Sequence, residues 1–297
     1  GAGTIDAALN NYVALHYTSR HMSWLHCFWG VGTIISPFVM SYTLSVANWN
    51  RGFLIIGLVQ VVIGLLLLVT LPVWKKAGGS APEEKRRSVG VRGALKIKGV
   101  PYLLIGFFAY CAAEATAMSW ASTYFVEVKA LSTQQAAQFA SLFYIGITVG
   151  RFFGGFITEK MGDRKMIITG TCILAAGIVL ILIPTEYYVV SLIGFVVTGL
   201  GCAPIYPCII HSTPDNFGAE NSGSIIGIQM ASAYVGSTFM PPLFGVIGNA
   251  LGFEWMPYYL ILFFALMIIM VELTFRATRK SASGVVFDDK TNDKNCK

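Results

Sequence analysis

Apolar residues along this chain come in runs of helix-spanning length, separated by short polar breaks. The runs lie near residues 1–15, 22–44, 51–74, 99–126, 135–157, 166–184, 187–211, 223–248 and 255–276. A helix needs roughly 20 consecutive apolar residues to cross a hydrocarbon core of about 30 Å, so the pattern predicts an all-α membrane protein embedded in a lipid bilayer. The first run is too short for a full crossing. It opens on Gly1-Ala2-Gly3 without a methionine, a basic flank or a cleavable signal, and the chain is expected to be an N-terminally truncated fragment. The stretch from Lys75 to Lys98 is the one long polar loop, rich in Gly, Ser, Lys and Arg, and marks the boundary between two helical units. The expected organisation is a partial N-terminal bundle over 1–74, a linker over 75–98, a six-helix bundle over 99–280 and a disordered tail over 281–297.

Composition sharpens this picture. The chain is 55% hydrophobic and only 12% charged, outside the range of soluble globular domains. A net charge of +6 could point to nucleic acid, but the basic residues cluster in short segments flanking the apolar runs. If successive spans alternate direction, one set of loops collects 18 of them, against only Arg51 and Lys129 on the other side and Arg151 within a span. The positive-inside rule then puts the carboxyl terminus in the cytoplasm. Trp49, Trp255, Tyr187, Tyr188, Tyr258 and Tyr259 fall at span ends, where amphipathic rings prefer the interface. The reading implies a multi-pass protein of the cell membrane, a monomer, with no nucleic-acid partner.

Ionisable groups inside the spans are rare, and insertion costs about 2.5 to 3.5 kcal/mol at the helix centre, so each invites a role. Glu114 lies mid-span with Tyr110 and Met118 on its helical face. A lone carboxyl there could carry a proton or accept sugar hydroxyls, or it could lock structurally onto a neighbouring helix. Asp6 has Asn10 one turn away and Asn11 beside that, a polar stripe suited to a proton site next to a polyhydroxy ligand, with a helix cap as the alternative. His26, among Trp24, Phe28 and Trp29, could help stack a sugar ring or simply pack through a hydrogen bond. Gln229, with Ser232 and Tyr234, could line a cavity or bond between helices. Pro204 and Pro207, with Gly199 and Gly201, should bend the span ending at His211 and set Tyr206 on irregular backbone. Trp120 is a further candidate for a ligand-facing ring.

Between two spans sit Gly150-Arg151-Phe152-Phe153-Gly154-Gly155 and then Gly162-Asp163-Arg164-Lys165. Gly146, Gly150 and Gly154 recur every four residues, making a smooth face that lets another helix approach closely. Asp163 and Arg164 belong to a tight turn at the cytoplasmic surface, able to cap or pair with an adjacent helix and so to latch one conformation. Close packing plus a solvated basic loop is the simpler alternative. Arg151 lies within the bilayer, where an uncompensated guanidinium is costly unless it snorkels to the headgroups.

The placement of this run between the second and third helices after the linker, with three more beyond, resembles the major facilitator superfamily, in which such a signature recurs in each six-helix half. The resemblance implies about nine of twelve transmembrane helices, the last three of one half and all six of the other. Two further stretches narrow it. Ala112-Ala113-Glu114 followed by Ser119-Trp120 and Tyr124 resembles the seventh helix of the fucose permease-like sugar:proton symporters. Asp6 to Tyr12 resembles their fourth helix and Ile205-Tyr206-Pro207 their tenth. What this implies is proton-coupled uptake of a hexose or similar small polyol by alternating access, with a proton on Asp6 in the outward-facing form. The family's first three helices, and an acid usual in the first, have no counterpart here.

Two rival readings share these features: a drug or metabolite exporter of the same superfamily, and a non-transporting membrane receptor or scaffold. The six cysteines, at 27, 111, 172, 202, 208 and 296, form no CxxC or paired framework, and no metal-ligand spacing joins the histidines. There is no phosphate loop, GxSxG or HExxH. No cofactor, metal or enzymatic activity is therefore expected.

Overall fold

The computed structural model describes residues 2–77 and 89–288; the rest of the expected linker and residues 289–297 of the expected tail lie outside the described residues. No strand occurs among the described residues. The helices in chain order are α1 (Ala2–His16), α2 (Ser19–Val46), α3 (Trp49–Ala77), α4 (Gly90–Lys96), α5 (Val100–Glu127), α6 (Thr133–Met161), α7 (Asp163–Leu182), α8 (Tyr188–Cys202), α9 (Ile205–His211), α10 (Thr213–Phe217), α11 (Ala219–Leu251) and α12 (Met256–Asp288). Among the described residues, eight segments are long and apolar enough to cross a membrane, the broken α8–α9 pair making one of them.

The chain divides into two compact units, Gly1–Phe28 with Ser88–Lys297, and Trp29–Arg87. In the smaller unit the rest of α2 and α3 meet at Gly52, where a methyl group would lie 2.7 Å from the Thr43 hydroxyl. None of the apolar window of α3 is buried, so the side chains of that window present a hydrocarbon surface.

The larger unit is built around α5, which packs against α11, α12 and α6 and buries two thirds of its apolar window. Small residues set the closest approaches. A methyl group on Gly146 would lie 2.8 Å from the Val196 carbonyl oxygen, and one on Gly150 would lie 2.5 Å from the Ala203 Cβ, so α6 and α8 approach almost backbone to backbone. At Gly154 the nearest atom would be 3.8 Å away, an ordinary contact. The four-residue glycine face thus seats α8 through its first two members.

Three local devices place the functional side chains. Gly162, at φ 78°, lets α6 reverse into α7 within one residue, a conformation that side chains with a Cβ rarely adopt. The apolar run over 187–211 is broken at Ala203 and Pro204, because proline cannot supply the N–H that would continue the helical ladder from α8. The third is the notch at Gly155, where the Trp24 indole of α2 settles so closely that a methyl group would lie 2.5 Å from its Nε1. That indole donates to the Phe152 carbonyl at 3.3 Å and packs edge-on against Phe156, fixing the start of α2 on α6.

Candidate functional site

A polar cluster runs through the middle of the larger unit. On α5 the Glu114 carboxyl is 12% exposed, and on α6 the Arg151 guanidinium is 3% exposed. They meet through Nη2 and Oε1 at 3.4 Å. The guanidinium also donates through Nη1 to the His26 carbonyl at 3.3 Å. Both contacts are long beside the usual 2.7–2.9 Å of a charge-assisted bond, and the contact with Glu114 is through a single carboxyl oxygen. Tyr110, one turn before Glu114, has its hydroxyl 2.9 Å from Glu114 Oε1 and 2.9 Å from the Cys202 carbonyl at the α8–α9 break. A phenol carries one proton, so it donates to only one of these two acceptors at a time.

The cluster continues onto α1. Asn10 donates its amide to the Asp6 carboxylate at 2.8 Å and to the Asp6 carbonyl at 3.0 Å. With that nitrogen committed, Asn10 Oδ1 accepts from His26 Nε2 at 3.0 Å, which fixes the tautomer of the buried ring. The other oxygen of Asp6 accepts from the Tyr234 hydroxyl of α11 at 2.9 Å. Tyr206, just past the break, stands edge-on to His26 with ring centroids 4.8 Å apart and packs on Phe107 at 4.7 Å. Two acids, one guanidinium, one imidazole and three phenols from α1, α2, α5, α6, α9 and α11 thus form one connected group inside otherwise apolar helices.

A second polar group forms at the α6–α7 turn. Asp163 accepts from Ser19 Oγ at 2.8 Å and lies 2.6 Å from His211 Nδ1, while His211 Nε2 donates to the Tyr17 carbonyl at 3.2 Å. Glu159 accepts from Thr18 at 2.8 Å and pairs with Arg20, whose guanidinium also lies over the Trp24 ring. The α1–α2 turn is thereby clasped by the α6–α7 turn and by the end of α9. Arg164 turns the other way, to Glu272 at 3.5 Å and over the Phe275 ring, and Glu272 also accepts from Arg276 at 2.8 Å. Lys165 is exposed.

A family model described as the Major Facilitator Superfamily matches the chain twice, over residues 1–143 and 131–292. The chain belongs to that superfamily. Its members are membrane transporters and not enzymes. Among similar proteins is Bypass of stop codon protein 6 of Saccharomyces cerevisiae, 24% identical over 293 residues, with 86% of this chain and 58% of the yeast protein covered. The glucose/mannose transporter GlcP of Bacillus subtilis is 21% identical over 218 residues, covering 70% of this chain and 53% of its own length. The chain therefore spans somewhat more than half the length of these relatives. Among solved structures, the superfamily transporter FucP in its outward conformation matches with a TM-score of 0.69 at 17% identity, over 90% of this chain and 72% of the other.

Against this superfamily fold, the candidates read from the sequence sort into three groups. Asp6, Asn10, His26, Glu114 and Tyr206 come together in the central cluster. Gly150, Gly154, Gly155, Gly162, Asp163, Arg164 and Lys165 lie along or just beyond the end of α6, as their spacing implies. Arg151 departs from that group: it stands ten residues before the end of α6, about 15 Å along the axis, and its partner is Glu114. Neither the lone carboxyl nor the snorkelling guanidinium of the sequence reading is what the structure contains, because each neutralises the other. The remaining candidates bond between helices. Asn11 accepts from Ser222 at 2.8 Å, and Gln229 accepts from Thr213 at 3.2 Å with its buried amide nitrogen unbonded. Trp120 donates to the Pro241 carbonyl at 2.8 Å and packs on Phe253, so its ring is engaged within the α5–α11 contact. Sequence reasoning missed His211 and Ser19 as partners of Asp163, and Tyr110 as the link to the helix break. A cavity of about 540 Å³ opens beside Tyr124, Lys129 and Trp255, ten residues beyond Glu114 along α5, or about 15 Å along the axis.

Proposed function

We propose that the protein is a secondary active transporter that takes up a small hydroxylated solute of sugar size together with protons, by alternating access. The observation that carries this reading is the pairing of two acids, Asp6 and Glu114, with hydroxyl, amide and guanidinium partners in the interior of apolar helices. A bilayer-embedded carboxyl is costly to retain for packing alone, and each of these is set where a proton or a hydroxyl can be exchanged. In this reading the turn group acts as the cytoplasmic latch: clasping Ser19 and Tyr17 against Asp163 and His211 closes that end, and releasing them opens it. The protein then works in the plasma membrane as a monomer with its carboxyl terminus in the cytoplasm, drawing about 2.3 kcal/mol per charge per 100 mV from the membrane potential. Two similar proteins support the reading. FucP of E. coli is a fucose:proton symporter, and GlcP a glucose/mannose transporter.

The test is accumulation in proteoliposomes under an imposed pH gradient, over a panel of neutral sugars, polyols and sugar acids, with internal pH followed by a trapped dye. At least one solute is expected to enter with protons, and Asp6→Asn or Glu114→Gln is expected to reduce proton-driven accumulation to background while leaving the protein folded. Accumulation indifferent to the gradient, or unchanged in both variants, overturns the reading. Efflux of lipophilic dyes in place of sugar-sized solutes favours the exporter alternative.

A further inference from the structure

The cavity of about 540 Å³ lies between the ends of α5 and α7 and the start of α12, at the opposite end of α7 from the turn group. We propose that it binds the headgroup of a zwitterionic membrane phospholipid, with the phosphate toward Lys129 and the ammonium toward Glu254 and the rings of Trp255 and Tyr258. Its volume falls within the range of about 300–1,000 Å³ common to small-molecule sites. Its position is at headgroup level: of the three spans that wall it, two end at Glu127 and Leu182 and the third begins at Phe253. Trp255 and Tyr258 are 48% and 56% exposed there, with ring centroids 5.5 Å apart, and amphipathic rings of this kind favour the membrane interface. Val179 lies one turn deeper than Ile183 on α7, and Leu262 one turn deeper than Tyr258 on α12. Both are exposed, so the opening continues into a hydrocarbon surface suited to acyl chains.

Charge decides the class of lipid. Lys129 and Glu254 line the same cavity, yet among the described residues no ion pair joins them. Lys129 is set by backbone: its Nζ donates to the Thr185 carbonyl at 2.9 Å, which engages one of its three protons and leaves two for another acceptor. Glu254 is exposed and accepts no hydrogen bond among the described residues. A purely anionic headgroup would meet Lys129 but also the Glu254 carboxylate, and a purely cationic one has the reverse conflict. A phosphate and an ammonium on one headgroup answer both charges, and the neighbouring indole and phenol faces attract the ammonium further. A free zwitterion would match the charges equally well, but the exposed apolar slope beneath them favours a ligand tethered to acyl chains. A headgroup seated there touches three helices at once, so its binding stabilises their packing in proportion to its occupancy.

The test titrates the full chain in dodecyl maltoside micelles with dioleoyl phosphatidylcholine, with anionic phosphatidylglycerol, with cationic ethylphosphatidylcholine and with soluble glycerophosphocholine. Thermal unfolding is followed, together with quenching of tryptophan emission by phosphatidylcholine that carries a nitroxide on its headgroup. Phosphatidylcholine is expected to raise the unfolding temperature saturably, reaching half its effect at about fivefold lower mole fraction than either charged lipid, as one charge contact near the surface warrants. Glu254→Lys should reverse that order and make phosphatidylglycerol the tighter ligand, which a generally stabilising lipid annulus would not produce. Lys129→Gln should lose the preference over ethylphosphatidylcholine, and Trp255→Phe should remove the saturable part of the quenching. A wild type that prefers either charged lipid, or an order unchanged by Glu254→Lys, overturns the inference. Stabilisation by glycerophosphocholine at the same concentration as the lipid identifies a free solute and overturns it too. So does the absence of saturable stabilisation and quenching in the wild type. None of these results bears on proton-driven accumulation, so the transport reading stands or falls separately.

Discussion

The central cluster and the turn group use the same chemistry, a carboxylate with an imidazole and a guanidinium close by, yet they are built for different work. At the turn, Asp163 and His211 are held at 2.6 Å with their remaining hydrogen-bonding capacity taken up by Ser19 and the Tyr17 carbonyl. In the middle, Glu114 and Arg151 are 3.4 Å apart. The two carboxylates are almost equally buried, Asp163 at 11% exposed and Glu114 at 12%, so the closeness of each contact follows the partner and its neighbours and not the depth: the imidazole is held tightly and the guanidinium loosely. In a low dielectric even a long contact is a strong interaction, so the deep pair can be held without close geometry. At the turn, Ser19 and the Tyr17 carbonyl bond the two partners as well and hold them in close geometry.

The largest expected effect comes from breaking the deep pair on one side. Arg151→Gln leaves a buried carboxyl without its counter-charge, and thermal unfolding in detergent should register a loss of about 3 kcal/mol. The double variant with Glu114→Gln should recover most of it, giving a coupling energy that a pair without interaction would lack. Next is Gly155→Val, which drives atoms into the Trp24 indole seated there. Overpacking of this kind costs about 1 to 3 kcal/mol, and protease cleavage at the α1–α2 turn should speed up if the seat loosens. His211→Gln is smaller, at about 1 kcal/mol. Both ring nitrogens of His211 face acceptors, and only the imidazolium can donate from each. Burial opposes charging the ring, but the bond to Asp163 and its charge, the Tyr17 carbonyl and the more distant Asp215 together outweigh it and favour the imidazolium. The wild type should therefore lose stability relative to His211→Gln as pH rises above about 6.5, and equal pH profiles would show that the ring is neutral throughout. Smallest is Arg20→Ala: with its partner Glu159 about a third exposed, the effect should be about 0.5 kcal/mol and should vanish in high salt.

Much of the fold is legible in the chain because lipid imposes a length on each apolar run. The expected span over 99–126 is observed as Val100–Glu127, and that over 135–157 as Thr133–Met161. Where local chemistry competes with hydropathy the reading blurs, as in the run over 187–211, whose apolar character is unbroken although Pro204 ends one helix and starts another. The site is legible only one residue at a time. Glu114 and Asp6 announce themselves as acids among apolar neighbours, and Asn10 follows from the one-turn spacing. That Glu114 faces Arg151, 37 residues on, or that Tyr234 reaches Asp6 across 228 residues, depends on how helices pack, which no periodicity within a helix records. Sequence proximity groups Arg151 with the glycine motif around it, and its place inside a span marks it as costly, but neither names Glu114 as its partner.

The Trp24 notch offers a way to watch the molecule. Its indole is set against Phe156, bonded to the Phe152 carbonyl and covered by Arg20. Lifting α2 from α6 would move that half-buried ring into a wetter setting, and the colour of its emitted light would change. A version keeping Trp24 alone of the six tryptophans would carry its own optical gauge of whether this seam is shut.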